Sequence, residues 1–220
     1  MKLYYAPGAC SLSPHIVLEE SGLPFELEKV DLQTKETASG QDFYLVNTKG
    51  SVPALELDDG QVLTEGAAIV QYLGDQVPEK ELISLPKTME RYRVMEWLNF
   101  IATELQKSFT PIFNPAYASC REEAKKTLLR QFDFVDRRLT GKSYVMGERF
   151  TVVDAYLFTI STWIEAAELS VDQMEGAFGL SKADFRTSCR MQGHDGRRTG
   201  LTCQEKMTVR SCSQARIGDQ

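Results

Sequence analysis

Two short strand-like segments enclose one helical segment within the first 30 residues of the chain. Residues 2–5 are apolar and aromatic, residues 11–20 repeat apolar side chains at helical spacing, and residues 25–30 alternate apolar with polar side chains. Two strands joined through a helix pair in parallel, because the connection must return along the whole length of the sheet. This order predicts a βαβ unit.

A hairpin and a second helix follow this unit. Residues 52–57 and 61–63 have strand patterns on either side of Asp58-Asp59-Gly60, a sequence that favours a tight hairpin turn. The next apolar pattern, over residues 65–75, is helical. We therefore expect residues 1–78 to form an α/β domain in which helices cover a small sheet.

The hydrophobic period becomes helical throughout after a charged linker at residues 79–87. Residues 88–182 are therefore predicted to form an all-α helical domain. Thr151 and Asp154 have the spacing of a capping box, which marks the start of a helix. The pattern predicts three helices, over residues 89–109, 121–139 and 151–169.

The composition excludes several classes of function. A net charge of −6 disfavours a nucleic-acid partner, since phosphate binding needs a positive surface. The sequence has no apolar run of about 18 residues and no apolar block typical of a signal peptide, so we expect a cytoplasmic protein without membrane contact. The 5 cysteines and 2 histidines show neither disulfide nor metal-ligand spacing.

The last 50 residues differ in composition from the rest of the chain. Leu, Ile, Val and Phe together are fewer there than in chains that build a core. Residues 1–170 carry a net charge of −8, whereas residues 171–220 carry +2. We predict that residues 183–220 are an atypical tail, either disordered or produced by a frame shift.

Cys10 lies where the first strand turns into a helix. The N–H groups at a helix N-terminus stabilise a thiolate, so the pKa of a thiol placed there is expected to fall. The alternative is that Cys10 is only a small packing residue. Ser13 occupies the second position of a C-x-x-C motif, so any disulfide of Cys10 needs a sulfur from another molecule.

Two further motifs are suited to a peptide-like ligand. Pro53 keeps Val52 extended, which leaves the Val52 backbone free to pair with a ligand as if the ligand were a strand. Glu65 and Gly66 open a helix, where backbone donors and a carboxylate match the two charges of an α-amino acid. Alternatively, Thr64 and Glu65 only cap this helix.

Together these features resemble the cytosolic glutathione transferases, and most closely their bacterial beta class, over about residues 1–170. The resemblance implies a thioredoxin-like N-terminal domain that binds glutathione, an all-α C-terminal domain and a homodimer. It implies no cofactor other than glutathione as co-substrate. The motifs that carry it are Tyr5-x-x-Gly8-Ala9-Cys10-Ser11, Asn47-x-Lys49-Gly50-x-Val52-Pro53-Ala54-Leu55, Leu63-Thr64-Glu65-Gly66-x-Ala68-Ile69-x-Gln71-Tyr72-Leu73, Trp97-Leu98-Asn99-Phe100 and Phe150-Thr151-x-x-Asp154-Ala155-Tyr156.

The resemblance assigns binding roles in the N-terminal domain. Val52 pairs through its backbone with the cysteine of glutathione, and the peptide bond before Pro53 is cis. Glu65 and Gly66 receive the γ-glutamyl end of glutathione.

The candidate catalytic residues are Cys10, Tyr5 and Ser11. Cys10 lies beside the glutathione sulfur by the same resemblance. Tyr5 either holds the thiolate, as a tyrosine does in other classes, or only lines its strand. We favour Cys10 over Tyr5.

Further candidates lie mostly in the helical domain. The resemblance implies that Asn99 and Thr103 face the site, directly or across a dimer. Lys35 and Lys107 either hold the glycine carboxylate of glutathione or are solvated surface lysines. The beta class often has histidine where this chain has Gln106, and an amide donates a hydrogen bond but exchanges no proton near neutral pH.

The implied reaction is transfer of glutathione to electrophilic carbon in small molecules, with mixed-disulfide and peroxide-reducing activity through Cys10. One alternative is a glutaredoxin-like thiol-disulfide oxidoreductase. Another is a non-enzymatic member that binds a ligand or a partner. The intact motifs at Val52-Pro53 and Glu65-Gly66 argue against the latter.

Overall fold

The N-terminal half of the chain forms a four-stranded sheet flanked by two helices. The computed structural model describes residues 1–171, so the predicted tail at 183–220 and the end of the predicted helical domain lie outside the described residues. The elements are β1 (Lys2–Tyr5), α1 (Leu12–Ser21), β2 (Glu26–Lys29), β3 (Ala54–Glu56), β4 (Val62–Thr64) and α2 (Gly66–Asp75).

The strand order is β2-β1-β3-β4, with β1 and β2 parallel and the other two pairs antiparallel. This is the predicted βαβ unit followed by the predicted hairpin. Gly22 ends α1 in a left-handed conformation with φ of 73°, which glycine adopts at little cost. Helices α1 and α2 pack against each other, and the starts of both lie near the Val52–Pro53 segment, since Cys10 contacts Val52 and Gly66 lies close to Pro53.

Residues 89–166 are largely helical. Their elements are α3 (Met89–Phe100), a π-helical stretch (Ile101–Gln106), a short 3₁₀ turn (Lys107–Phe109), α4 (Thr110–Phe113), α5 (Arg121–Leu139), α6 (Val152–Ser161) and α7 (Trp163–Ala166). This confirms the predicted fold class, a thioredoxin-like domain followed by a helical domain. The domain limits predicted at residues 78 and 88 stay a prediction.

Two predicted helices differ from those observed. The segment predicted as one α-helix over residues 89–109 is α-helical only to Phe100 and then widens into the π-helical stretch. The helix predicted over residues 151–169 turns at Thr162, which separates α6 from α7. The apolar spacing is nearly the same in α- and π-helices, so periodicity alone does not distinguish them.

Helix α6 is the centre of the core. Every side chain from Val152 to Ile160 is buried, and α6 packs against α1, α2 and α3. The capping box predicted at its start is present, with Thr151 and Asp154 bonding each other's backbone. One apolar cluster therefore runs from Leu3 and Leu55 in the sheet to Leu157 in the helical half, which fixes the cleft between the two halves.

Candidate functional site

The Cys10 side chain lies in the cleft, next to the strand that precedes the hairpin. Cys10 comes immediately before Ser11, the residue at the N-cap of α1, and is partly exposed. Its thiol donates a hydrogen bond to the carbonyl oxygen of Val52 at 3.3 Å. The sulfur thus lies at the position where a ligand paired with Val52 would pass.

The predicted fall in the pKa of Cys10 is wrong. Burial raises the pKa of the thiol, and this outweighs the lowering by the backbone N–H groups of Cys10 and Ser11 and by the Gln106 side chain. The position in the chain was predicted correctly, but the desolvation of the sulfur could not be seen from the sequence. Cys10 therefore keeps its proton at neutral pH.

The geometry contradicts a catalytic role for Ser11. Its side chain is 1% exposed, and its hydroxyl bonds both the N–H and the carbonyl oxygen of Ala6, at 3.1 and 3.2 Å. The serine closes the turn between β1 and α1 and has no free donor for a substrate. Its role is to hold the loop that carries Cys10.

Tyr5 packs against α1. Its ring centroid lies 6.4 Å from that of His15, on the side of β1 that faces the helix. This contact favours the simpler interpretation, in which Tyr5 lines its strand and leaves the thiolate to other groups.

The segment around Pro53 has the predicted geometry. The Val52–Pro53 peptide bond is cis, and Val52 is nearly buried. Within residues 1–171, the N–H group of Val52 donates to no backbone or side-chain acceptor. Lys35 reaches the same loop, since its Nζ donates to the carbonyl oxygen of Gly50 at 3.0 Å.

Glu65 opens α2 in a strained conformation. Its φ is 70°, a region that only glycine adopts readily, and its side chain makes no capping hydrogen bond. The carboxylate instead accepts from Nζ of Lys49 at 2.5 Å, and the same Nζ donates to the Thr64 hydroxyl at 2.8 Å. The interpretation of Glu65 as a side-chain cap is wrong. Its carboxylate pairs with a cation at the cleft.

Gln106 is the last residue of the π-helical stretch and reaches the cleft from the opposite side. Its Oε1 accepts a hydrogen bond from the Tyr156 hydroxyl at 2.5 Å. Its side chain is also one of the groups that lower the pKa of the Cys10 thiol. A π-helical turn at a functional site is common, because the extra residue redirects a side chain.

An aromatic groove of about 590 Å³ opens beside Gln106. The rings of Phe109 and Phe113 stack with centroids 5.6 Å apart, and Trp163 meets Phe109 edge-on at 5.4 Å. The indole N–H of Trp163 donates to the carbonyl oxygen of Gly8 at 2.9 Å, which joins the groove to the loop before Cys10. Lys107 also lines the groove.

Asn99 and Thr103 do not line this groove. Both side chains are exposed, Asn99 at the end of α3 and Thr103 in the π-helical stretch, and the Thr103 hydroxyl donates to the Asn99 carbonyl oxygen at 3.0 Å. The structure thus brings Cys10, Val52 and Gln106 together and leaves Asn99 and Thr103 on an outer face.

Sequence reasoning missed three residues of the site, namely Lys49, Tyr156 and Trp163. Lys49 and Tyr156 fall within motifs that carry the family resemblance, so their position in those motifs was the available signal. No sequence signal pointed to Trp163, because its hydrogen bond to Gly8 joins residues 155 positions apart.

Comparison with known proteins agrees with this geometry. Residues 8–76 match the model of the glutathione S-transferase N-terminal domain, and residues 100–183 match the model of its C-terminal domain. The chain is 49% identical over 179 residues to the glutathione S-transferase GstA of Escherichia coli O157:H7, which covers 80% of this chain and 88% of that protein.

Two solved structures have the same fold. A sphingomonad glutathione S-transferase complexed with glutathione is 35% identical, with a TM-score of 0.78 and coverage of 89% of this chain and 100% of that one. A bacterial beta-class enzyme of Sphingomonas chungbukensis is 36% identical, with a TM-score of 0.78 and coverage of 88% and 99%. The chain belongs to the glutathione S-transferase family. The predicted resemblance to the bacterial beta class is confirmed.

Among residues 1–171, no three His, Cys, Asp or Glu side chains are placed to hold a metal ion together. No helix in the same range is long and apolar enough to cross a bilayer.

Proposed function

We propose that this chain catalyses attack of the glutathione thiolate on electrophilic carbon in small molecules. The observation that carries the proposal is the Cys10 sulfur at 3.3 Å from the carbonyl oxygen of Val52, in the loop before β3, where the Val52 N–H has no acceptor within residues 1–171. A peptide thiol paired with the Val52 backbone would have its own sulfur beside Cys10. Family membership and a glutathione-bound relative support the same ligand.

The γ-glutamyl end of glutathione carries an ammonium and a carboxylate. Its ammonium would replace Nζ of Lys49 on the Glu65 carboxylate, and the displaced Lys49 would pair with the ligand carboxylate. The N–H groups of Gly66 and Ala67 donate to no group within residues 1–171 and face the same end. The Lys35 ammonium, now on the carbonyl of Gly50, would serve the glycine carboxylate.

Cys10 acts in this proposal as a neutral donor. Because burial raises the pKa of Cys10, its thiol keeps its proton, and the S–H would turn from the Val52 carbonyl oxygen to the glutathione sulfur, whose own pKa is near ~8.5 when free. Hydrogen bonds from Cys10 and from the Gln106 amide favour the glutathione thiolate. The thiolate then forms an S–C bond, the leaving group departs with its electron pair, and the thiol proton goes to water.

The aromatic groove would hold the electrophile. Phe109, Phe113 and Trp163 offer flat apolar walls, which suit a planar aromatic substrate that carries a leaving group. Lys107 at the same groove would favour negative charge that develops on such a ring.

Thiol-disulfide exchange is the second candidate. Cys10 would attack a mixed disulfide and itself become joined to glutathione, which a second glutathione would release. The raised pKa of Cys10 disfavours this route at neutral pH, because only the thiolate attacks.

Steady-state assays with glutathione and an aromatic halide measure conjugation, a mixed disulfide of glutathione measures disulfide exchange, and a hydroperoxide measures peroxide reduction. For Cys10→Ala we expect the conjugation rate to fall about tenfold, because one hydrogen bond to the glutathione thiolate is lost. Disulfide exchange should disappear, because the attacking sulfur is absent. Cys120→Ala, at an exposed cysteine, is the control and should match the parent. No conjugation by the parent chain would contradict the proposed function.

We also propose a homodimer and a cytoplasmic location. Met89, Tyr92 and Met95 expose apolar side chains on one face of α3, and Asn99 and Thr103 continue that face. A second copy of the chain would cover this face and would place Asn99 and Thr103 towards its own cleft. The cytoplasm holds the reduced glutathione pool that the reaction needs.

A further inference from the structure

Tyr156 makes a long-range hydrogen bond at the centre of the cleft. Its hydroxyl donates to Oε1 of Gln106 at 2.5 Å, although the two residues are 50 positions apart. The ring is 3% exposed, so the hydroxyl reaches no bulk solvent. The cleft face of α6 is therefore joined to the π-helical stretch by this bond.

The hydroxyl also lies next to the start of α2. A Cβ atom at Gly66 would lie 3.6 Å from the Tyr156 oxygen, which is ordinary contact distance. Burial raises the pKa of the Tyr156 hydroxyl, and the Cys10 thiolate that forms at high pH and the Glu65 carboxylate raise it further. The hydroxyl consequently stays protonated, and its proton is the one donated to Oε1 of Gln106.

The chemical consequence concerns the two ends of the Gln106 amide. The amide has an acceptor oxygen at one end and an N–H₂ donor at the other. If the oxygen faced the Cys10 sulfur, it would repel a sulfur anion. Because Tyr156 occupies the oxygen, the N–H₂ end is left to face the sulfur.

We propose that Tyr156 is a positioning residue, which fixes the Gln106 amide with its N–H₂ group towards the sulfur at Cys10. Tyr156 touches no substrate in this scheme and acts only through Gln106. The catalytic purpose of this orientation rests on the proposed function. The orientation itself can be tested without glutathione, through the pKa of the Cys10 thiol.

The test is alkylation of the full chain by iodoacetamide as a function of pH. Tryptic peptides 3–29 and 108–121 contain Cys10 and Cys120 as their only cysteines, so mass spectrometry follows each rate separately. The rate is proportional to the thiolate fraction, so its midpoint gives the pKa of Cys10 and its high-pH plateau gives accessibility. Cys120 is exposed and serves as the internal reference.

For Tyr156→Phe we expect the midpoint of Cys10 to rise by about one pH unit, so that alkylation near neutral pH slows about tenfold. The plateau and the Cys120 rate should not change. Tyr4→Phe is the matched control, since it removes another buried hydroxyl, bonded to Glu56 at 2.7 Å on the far side of the sheet. Its Cys10 midpoint should equal that of the parent.

Gln106→Met removes the amide and keeps a similar side-chain volume, so it tests the same step should Tyr156→Phe fail to fold. We expect the same rise in the Cys10 midpoint, and no further rise in the double variant. An unchanged midpoint in Gln106→Met, or a folded Tyr156→Phe with a Cys10 rate within about twofold of the parent, would overturn the inference. Either result leaves conjugation by the parent chain to be judged separately.

Discussion

At the scale of single residues, the cleft shows two opposing influences on one sulfur. Cys10 comes just before the N-terminus of α1, where backbone N–H groups lower the pKa of a thiol, yet burial raises the pKa by more. The sequence predicts the position of Cys10 from local pattern. The sign of its pKa shift depends on side chains from distant segments, such as Gln106, and so could not be predicted.

Glu65 gives a prediction at this scale. Its φ of 70° is strained for glutamate and free of strain for glycine, so we expect Glu65→Gly to leave the free energy of unfolding equal or raise it by about 1 kcal/mol. Glutathione affinity should fall about tenfold, because the carboxylate that we propose as the partner of the ligand ammonium is lost.

Urea unfolding and calorimetric titration with glutathione would measure the two effects of Glu65→Gly. Glu36→Gly is the control, since Glu36 is exposed and lacks a positive φ. It should lower stability slightly without changing affinity. A large loss of stability in Glu65→Gly, with affinity unchanged, would contradict the assignment.

At the scale of elements, the features encoded by local sequence were predicted, whereas a feature that depends on tertiary contacts was not. The observed bounds of α5, Arg121–Leu139, are those predicted from apolar spacing, and the capping box of α6 was evident from Thr151 and Asp154. The π-helical stretch at Ile101–Gln106 was not predicted. The stretch packs against α5 and α6, and no local spacing encodes those contacts.

Among the polar side chains of α6, Asp154 should contribute most to the stability of the fold. It is 1% exposed and accepts from the N–H groups of Val145 and Thr151, both at 2.8 Å. Asp154→Ala would leave these donors buried without partners, so we expect a loss of about 2–4 kcal/mol in the free energy of unfolding.

Urea denaturation of Asp154→Ala would measure that loss. Asp133→Ala, which removes a pair with Arg137 on the surface of α5, should change stability by less than about 1 kcal/mol. Equal effects of the two substitutions would show that the Asp154 bonds contribute little.

Asp154 also predicts a pH dependence of stability. Burial raises its pKa from 3.8 to about 6, although hydrogen bonds from Val145 and Thr151 lower it. The folded chain therefore binds the proton more tightly than the unfolded chain, so this contribution is full below about pH 3.8 and is lost as the pH rises through 6.

The free energy of unfolding, compared between the parent and Asp154→Asn from about pH 4 to about pH 7, measures this contribution. We expect the free energy of unfolding of the parent, relative to that of Asp154→Asn, to fall by up to about 3 kcal/mol as the pH rises over that range. A constant difference across the range would refute the shift.

At the scale of the whole molecule, one apolar core joins the sheet to the helical half. Leu3 and Leu55 belong to the same cluster as Leu157 and Ile160 of α6, so the two halves are fixed relative to each other and the cleft is preformed. The predicted fold class is confirmed at this scale. The pairing of Tyr156 with Gln106 follows from this packing and could not be predicted from either segment alone.

The exposed face of α3 predicts self-association. Met95 is 44% exposed next to Tyr92 at 55%, and a charge placed there would be buried in a dimer. We expect Met95→Glu to raise the dimer dissociation constant at least tenfold in sedimentation equilibrium, whereas Tyr117→Glu, at an exposed aromatic outside α3, should not. A monomeric parent chain would contradict the proposed dimer.

The central claim is that the cleft holds one peptide thiol with its sulfur at Cys10. Calorimetric titration of the full chain with glutathione tests it most directly, followed by the absorbance of the bound thiolate as the pH is raised. We predict one glutathione per chain, with a Kd between about 1 µM and about 1 mM, and thiolate formation at lower pH than for free glutathione. The absence of saturable binding, or a bound thiol that ionises like the free one, would contradict the account.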